Sequence, residues 1–126
     1  MVQGLRGAIT AHENSRESIL AATRLMLRRI VAANNLDVST IATAFFSTTP
    51  DLTAAFPAAA ARQIGWDSVP MMCGHEIGVP GSLGMCVRVM LTVNSDEPMA
   101  EPFIYLRGAI ALRADVPPIV GPEEDE

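Results

Sequence analysis

In two stretches of the chain, successive side chains would alternate between two opposite faces, which is the pattern of a β-strand. In residues 2–10 (VQGLRGAIT), the large apolar side chains face one side, and Arg6 shares the other side with small residues. In residues 86–93 (CVRVMLTV), three valines and a leucine face one side, and Arg88 lies among the side chains of the other. Each segment therefore predicts a strand that carries an arginine in its middle.

A long helix is predicted between these strands, over residues 15–34. Asn14 or Ser15 is placed to cap its first turn, and Asn34 and Asn35 mark its end. Apolar residues recur at helical spacing and form one stripe: Ile19, Leu20, Met26, Leu27, Ile30 and Val31. Three arginines fall largely outside this stripe: Arg16, Arg24 and Arg28. We therefore expect the stripe to cover the core and the arginines to face solvent.

The remaining segments predict further strands and one short helix. Residues 40–48 (TIATAFFST) are rich in β-branched and aromatic side chains and predict a buried strand. Residues 56–64 predict a short helix that starts near Pro57 and stops at Gly65. Residues 103–113 (FIYLRGAIALR) are apolar, but their periodicity does not separate a strand from a helical turn.

Residues 66–93 predict a third and a fourth strand, joined by the glycine-rich turn at 77–84. A strand, a turn and a returning strand would bring Glu76 and Arg88 together at one end of a sheet. Because a guanidinium stays charged, an arginine in mid-strand needs an anion, a solvated cleft or a subunit interface. A structural ion pair with Glu76 is the alternative to a ligand site.

We therefore predict an α+β fold, in which a mixed β-sheet packs against one long helix and one short helix. The chain has 126 residues, 49% of them hydrophobic and 18% charged, with a mean hydropathy of +0.27. This is apolar for a domain of its size, and the surplus indicates an interface between subunits. Residues 1–113 are expected to form a single domain, and residues 114–126 a flexible acidic tail.

Charge and segment length exclude several classes of function. The net charge of −5 comes largely from residues 123–126 (EEDE), and no basic stripe typical of a nucleic-acid-binding protein is present. No apolar run reaches the roughly 18 residues of a membrane span, and residues 1–10 lack the pattern of a signal peptide. All nine basic residues are arginines, which reflects compositional bias or suits bidentate recognition of carboxylates. We expect a cytoplasmic protein that binds neither nucleic acid nor membrane.

The motifs of metal, nucleotide and hydrolytic sites are absent from the sequence. The two cysteines, Cys73 and Cys86, have no CxxC spacing, so no metal site is predicted. The loop GVPGSLG at 78–84 lacks the GK[ST] of a phosphate-binding loop, and Ser82 has no GxSxG setting. A thiol reaction at Cys73, with His75 nearby, is the nucleophilic alternative. Neither a cofactor-dependent enzyme nor a hydrolase is indicated.

Five blocks of the chain form a pattern when they are taken in order. They are LRGAIT (5–10), FFSTTPDLTAAFPAAAARQIGW (45–66), VPMMCGHEI (69–77), CVRVMLTV (86–93) and YLRGAIALR (105–113). Together they resemble the monofunctional chorismate mutases of the AroH class. The resemblance implies an isomerase that converts chorismate to prephenate in phenylalanine and tyrosine biosynthesis without a cofactor. It also implies a homotrimer whose three sheets form a pseudo-barrel, with active sites in the clefts between subunits.

The same resemblance implies roles for individual residues. Arg88 matches the arginine that contacts the breaking ether oxygen, and Arg6 matches a carboxylate-binding arginine with Tyr105 beside it. Glu76 and Cys73 match a pair near the ring hydroxyl. Among the substrate-binding residues, Phe56, Ala58 and Arg62 match a wall of the site that the adjacent chain contributes. Leu112 and Arg113 match a C-terminal segment that closes over the site. In one departure from the family, Ala59 stands where a lysine near the ring carboxylate is common, and Arg62 or Arg113 is expected to replace it.

The implied reaction needs no nucleophile, acid or base, because one C–O bond breaks while one C–C bond forms. Catalysis then comes from holding the compact conformer of the substrate and from stabilising charge in the transition state. Two alternatives fit the same residues. One is a trimeric imine or enamine deaminase that grips a carboxylate with an arginine, and the other is a non-catalytic trimer that binds a small carboxylate.

Overall fold

The structure is a computed structural model that describes residues 1–113. The predicted acidic tail, residues 114–126, lies outside the described residues. The elements follow one another in this order: β1 (Val2–Thr10), α1 (Arg16–Asn34), a 3₁₀ helix (Val38–Thr40), β2 (Ile41–Thr48), α2 (Ala58–Gln63), β3 (Met71–His75), β4 (Cys86–Asn94), β5 (Phe103–Leu106) and a second 3₁₀ helix (Arg107–Arg113).

The long helix α1 has the limits that its capping residues predict. The Ser15 hydroxyl accepts a hydrogen bond from the Ser18 amide at 3.1 Å, which satisfies one of the free amides of the first turn. At the other end, Asn35 adopts the left-handed conformation with φ of 47°, as asparagines at the C-terminal end of a helix often do. The predicted apolar stripe is buried except for Val31, which is partly buried.

The five strands form one mixed sheet in the order β3-β2-β4-β1-β5. β4 is antiparallel to both of its neighbours, whereas β5 runs parallel to β1, and β3 runs parallel to β2. The predicted pairing of the third strand with the fourth is wrong, because β2 lies between them. Residues 76–85 form a long connection that crosses the end of β2 and does not close a tight hairpin.

The ambiguous apolar segment at residues 103–113 contains both alternatives. It forms the short strand β5 and then a 3₁₀ helix, and the change occurs at Arg107, whose φ is 55°. The short helix α2 follows Pro57, and Gly65, with φ of 92°, comes two residues after its end.

The two faces of the sheet differ in what covers them. On one face, alternate strand residues such as Leu5, Phe46 and Leu91 pack with α1 in the main core. α1 approaches β1 so closely that a Cβ at Gly7 would lie 2.8 Å from the Ile30 Cδ1. We call the opposite side the open face. It carries four large apolar side chains that are 45–71% exposed: Val2, Phe45, Met72 and Met90.

Candidate active site

Arg88 lies in the middle of β4, and its side chain is on the open face. The register places it beside Ala8 of β1 and Ser47 of β2, whose small side chains leave room for the guanidinium. Its Nη1 donates to Oε2 of Glu76 in an ion pair, with side chains 34% and 30% exposed respectively. Glu76 reaches it across β2, because the Glu76 amide bonds to the Thr48 carbonyl at 2.8 Å. The predicted proximity of the two residues is confirmed, although the hairpin expected to produce it is absent.

Arg6 lies on the same face as Arg88, on the neighbouring strand. It pairs in register with Met90 of β4, and it lines a cavity of about 230 Å³ together with Arg88, Glu76, Phe45 and other residues of the open face. We call this the arginine cavity. The Arg6 guanidinium forms no hydrogen bond or ion pair with any residue in the range 1–113.

The electrostatics of the arginine cavity favour an anionic ligand. Burial lowers the pKa of Arg88, and the like charge of Arg6 lowers it further. Such a shift means that the environment of Arg88 does not fully compensate its charge. Among the described residues, two arginines and one carboxylate line the cavity, and this excess of positive charge is what a carboxylate ligand would neutralise.

Tyr105 is buried next to these residues and has an unused hydroxyl group. It pairs in register with Ala8 of β1 and packs in a small cluster with Ala8, Cys86 and Ala109. The residue is 5% exposed, and its hydroxyl has no hydrogen-bond partner among the described residues. Because buried hydroxyls are almost always bonded, this one is available to a ligand or to a group from another chain.

A second cavity, of about 240 Å³, adjoins the arginine cavity at the start of β4. It shares Arg88 and Glu76 with the arginine cavity and is also lined by Thr49, Leu83, Cys86 and Leu112 among others; we call it the loop cavity. The structure thus brings Leu112 to the site, as the resemblance implied, and Arg113 ends the same 3₁₀ helix. Burial raises the pKa of Cys86 to about 11, so its sulfur is a thiol near neutral pH and not a nucleophile.

The other predicted substrate-binding residues lie elsewhere. Phe56, which is 72% exposed, and Cys73 line a separate cavity of about 440 Å³ with residues including Pro57, His75 and Arg16; we call it the wall cavity. Cys73 pairs in register with Phe46 and packs against the core shared with α1. It is therefore on the side of the sheet opposite Glu76, and one protomer does not bring these two residues together.

Neither Ala58 nor Arg62 lines the wall cavity, although Ala58 directly follows Pro57, which does. Ala58 is buried in the core at the start of α2, and Arg62 is exposed near the end of that helix. The Arg62 guanidinium has no hydrogen-bond or ion-pair partner among residues 1–113. Ala59 is half-buried between them. These positions leave Arg62 free for an anion that approaches α2 from outside.

Sequence reasoning did not identify Arg16 as a cavity residue. Arg16 is exposed, as predicted, but it opens α1 beside the segment that carries Phe56. Asn14 holds this segment in place, since its Oδ1 accepts from the amides of Thr53 at 2.9 Å and Ala54 at 3.1 Å. A sign of this arrangement in the sequence was Asn14, which was left open as an alternative to Ser15 for the cap of α1.

No metal-like cluster and no bilayer-length helix occurs in the described part of the chain. Among residues 1–113, no group of three or more His, Cys, Asp or Glu side chains converges as metal ligands do. Within the same residues, no helix has the length and hydropathy to cross a bilayer.

Comparison with known proteins finds close similarity over most of the chain. A family model described as chorismate mutase type I matches residues 2–116. The chorismate mutase AroH of Thermus thermophilus is 45% identical over 118 residues, which is 92% of this chain and 97% of that protein. The corresponding protein of Bacillus subtilis (strain 168) is 39% identical over 118 residues, 92% of this chain and 93% of its own length. The solved structure of a chorismate mutase from Clostridium thermocellum has a TM-score of 0.83 at 43% identity, covering 86% of this chain and 98% of that one.

Proposed function

The chain belongs to the chorismate mutase type I family and is a chorismate mutase, and we propose that it rearranges chorismate in the arginine cavity of its open face. It is thus an isomerase of aromatic amino acid biosynthesis, and neither the deaminase nor the non-catalytic alternative is supported. The observation that carries the assignment of the site is the arginine cavity itself. There, the unpaired cation of Arg6 lies near an Arg88 that Glu76 already orients.

The chemistry of the rearrangement matches these side chains. As the ether bond breaks, negative charge accumulates on its oxygen, and Arg88 donates to that oxygen. Arg6 and the free hydroxyl of Tyr105 bind a carboxylate and hold the substrate side chain folded over the ring. Glu76 orients Arg88, binds the ring hydroxyl and balances the positive charge that develops on the ring.

The active site of this proposal is shared by two protomers of a homotrimer. The arginine cavity lies on the open face, whereas Phe56 and Cys73 lie on the helix side of the β3 edge. One chain therefore provides the cations, and the wall cavity of a neighbour provides Phe56, Cys73 and the nearby Arg62. The exposed apolar residues of the open face support this assembly, because a soluble protein rarely leaves such a surface uncovered.

The C-terminal part of the described chain completes the site in this proposal. Leu112 closes the loop cavity, and Arg113 is the next residue of the chain. Arg62, whose charge is unpaired within residues 1–113, takes the place of the family lysine that Ala59 replaces. The catalytic domain spans residues 1–113, and the protein acts in the cytoplasm, where its free thiols Cys73 and Cys86 suit a reducing environment.

The first test is direct. Purified protein is mixed with chorismate, and the loss of the diene absorbance of the substrate is followed, with prephenate identified as the product. We expect turnover without added metal or cofactor, and we expect Arg88→Ala to abolish most of it. Full activity in Arg88→Ala would exclude the arginine cavity as the site.

The shared site is tested by mixing two inactive variants. Arg88→Ala removes the cation of the open face, and Phe56→Asp places a negative charge on the wall, where it repels a dicarboxylate. In a trimer with one site at each contact, every mixed trimer contains one intact site. Equal mixing after subunit exchange should therefore restore roughly a quarter of the wild-type activity. No recovery in verified mixed trimers would show that one chain builds each site alone.

A further inference from the structure

A carboxylate outside the cavities holds the connection that leads into β4. Both oxygens of Asp51 accept from the amide of Met85, at 3.1 and 2.9 Å. Oδ1 also accepts from the hydroxyl of Thr49 at 2.5 Å, and that hydroxyl oxygen accepts from the amide of Cys86 at 2.9 Å. We call these four residues the β4 clamp.

The clamp fixes a backbone conformation that needs support. Met85 has φ of 56°, in the left-handed region that non-glycine residues seldom adopt. Its amide is held by Asp51, and its carbonyl accepts from the Ala11 amide at 2.7 Å. Both sides of the strained residue are therefore bonded, and this is how such conformations persist in folded proteins.

Asp51, the carboxylate of the clamp, lies next to the residues of the cavities without lining either one. Thr49, Leu83 and Cys86 line the loop cavity together with Arg88, but Asp51 lines neither the loop cavity nor the arginine cavity. Met85 directly precedes β4, and Arg88 comes three residues after it, within that strand. Any rotation of the strand entry would therefore move both the Arg88 guanidinium and the Leu83 side of the cavity.

We propose that Asp51 is a positioning residue of the reaction, which sets the entry of β4 so that Arg88 meets the breaking ether oxygen. The inference rests on the proposed function of Arg88, because it assigns Asp51 no contact with substrate. The hydrogen bond from Thr49 lowers the pKa of Asp51, so the clamp contains a carboxylate at neutral pH. A displacement of about 1 Å at a reacting group costs up to roughly 100-fold in rate.

The first variant removes the carboxylate. Asp51→Ala should lower kcat by roughly 10- to 100-fold and change KM little, since Arg88 acts on the transition state and not on ground-state binding. The matched control is Asp37→Ala. Asp37 accepts from the Ser39 amide at 2.9 Å and from its hydroxyl at 2.8 Å in a turn before β2, and it lines none of the three cavities. The Asp37→Ala variant should lose about as much thermal stability as Asp51→Ala and keep the wild-type kcat.

A second variant displaces the carboxylate without removing it. A Cβ at Gly84 would lie 2.7 Å from Oδ2 of Asp51. The next nearest atom is the Cγ of Asp51, so the clash would involve this side chain alone. The φ of Gly84 is outside the left-handed region, so alanine is tolerated by the backbone. Gly84→Ala should therefore lower kcat as Asp51→Ala does. In the double variant the clash is gone, and kcat should equal that of Asp51→Ala alone.

The outcomes separate the inference from the proposed function. If Arg88→Ala is inactive while Gly84→Ala and folded Asp51→Ala keep wild-type kcat, Asp51 has no positioning role. If the losses in the two single variants multiply in the double variant, they act independently and the clamp is not their common cause. If Arg88→Ala is fully active, the proposed site is wrong whatever Asp51 does. Failure of Asp51→Ala to fold leaves Gly84→Ala to decide the matter.

Discussion

The two faces of the sheet have similar strands and opposite surroundings. On the covered face, Val89 and Leu91 of β4 are buried against the core shared with α1. On the open face, Arg88 and Met90 from the same strand remain accessible, and Met90 is 45% exposed. The covered face is complete within one chain, whereas the open face has exposed apolar residues and one cation, Arg6, that no described segment pairs.

This difference explains how the fold supports the reaction. Arg88 is held by flanking residues whose side chains are locked in a packed core, so its backbone is rigid. Its guanidinium nevertheless faces a cavity that stays open for a ligand. A strand that is buried on one side and open on the other thus gives a fixed cation without the cost of burying it unpaired.

The largest effect is expected from the cation of the open face. Arg88→Ala should lower kcat/KM by about 10² to 10³, because one donor to the developing oxyanion is lost. Arg88→Lys keeps the charge but not the planar fork, and we expect most of the activity to be lost. Steady-state kinetics measure both effects. Arg28→Ala, which removes an exposed arginine of α1, is the control and should match the wild type.

Neighbouring residues of β4 sharpen the comparison of the faces. Met90→Asp places a charge on the open face and should split the proposed trimer, lowering activity more than about tenfold in dilute protein while the protomer stays folded. Leu91→Asp places the same charge in the core and should unfold the chain. Light scattering and circular dichroism distinguish the two results. A Met90→Asp variant that remains trimeric and active would show that this face is not the interface.

Much of this fold could be predicted from alternation and capping. The pattern of residues 2–10 and 86–93 placed Arg6 and Arg88 on the face opposite the apolar core residues, and the structure confirms that placement. Ser15 marked the start of α1 correctly. These features are local, because they depend on side chains a few positions apart, and local patterns are visible in a single sequence.

The order of the strands, and the division of the site residues between the two sides of the sheet, were not predicted from such local patterns. The glycine-rich connection after Glu76 predicted a hairpin, but β2 lies between β3 and β4, since pairing partners far apart in sequence are chosen by the whole sheet. Cys73 was grouped with Glu76 only because the resemblance implied that both lie near the ring hydroxyl. Alternation along β3 and the turn that follows it place their side chains on opposite sides of the sheet.

A smaller effect is expected from the wall cavity. Phe56 is 72% exposed in the protomer, so Phe56→Ala should preserve folding and remove apolar contact with the substrate. We expect KM to rise about three- to tenfold with kcat little changed, as for the loss of uniform binding. Val79→Ala, which trims another exposed apolar residue outside the three cavities, should leave KM unchanged. A fall in kcat alone would place Phe56 among the groups that act on the transition state.

The smallest effect is expected from pH, and it distinguishes fixed charges from acid–base catalysis. Arginines stay protonated at ordinary pH, and a free glutamic acid titrates near about 4.3, so kcat/KM should vary less than about twofold from pH 6 to 9. Burial and Arg6 lower the pKa of Arg88. Its charge is therefore lost only as pH rises, and any decline must appear at the alkaline end of the profile. His75 lines the wall cavity, so a bell-shaped profile near neutrality that flattens in His75→Gln would instead mean that proton transfer contributes to the reaction.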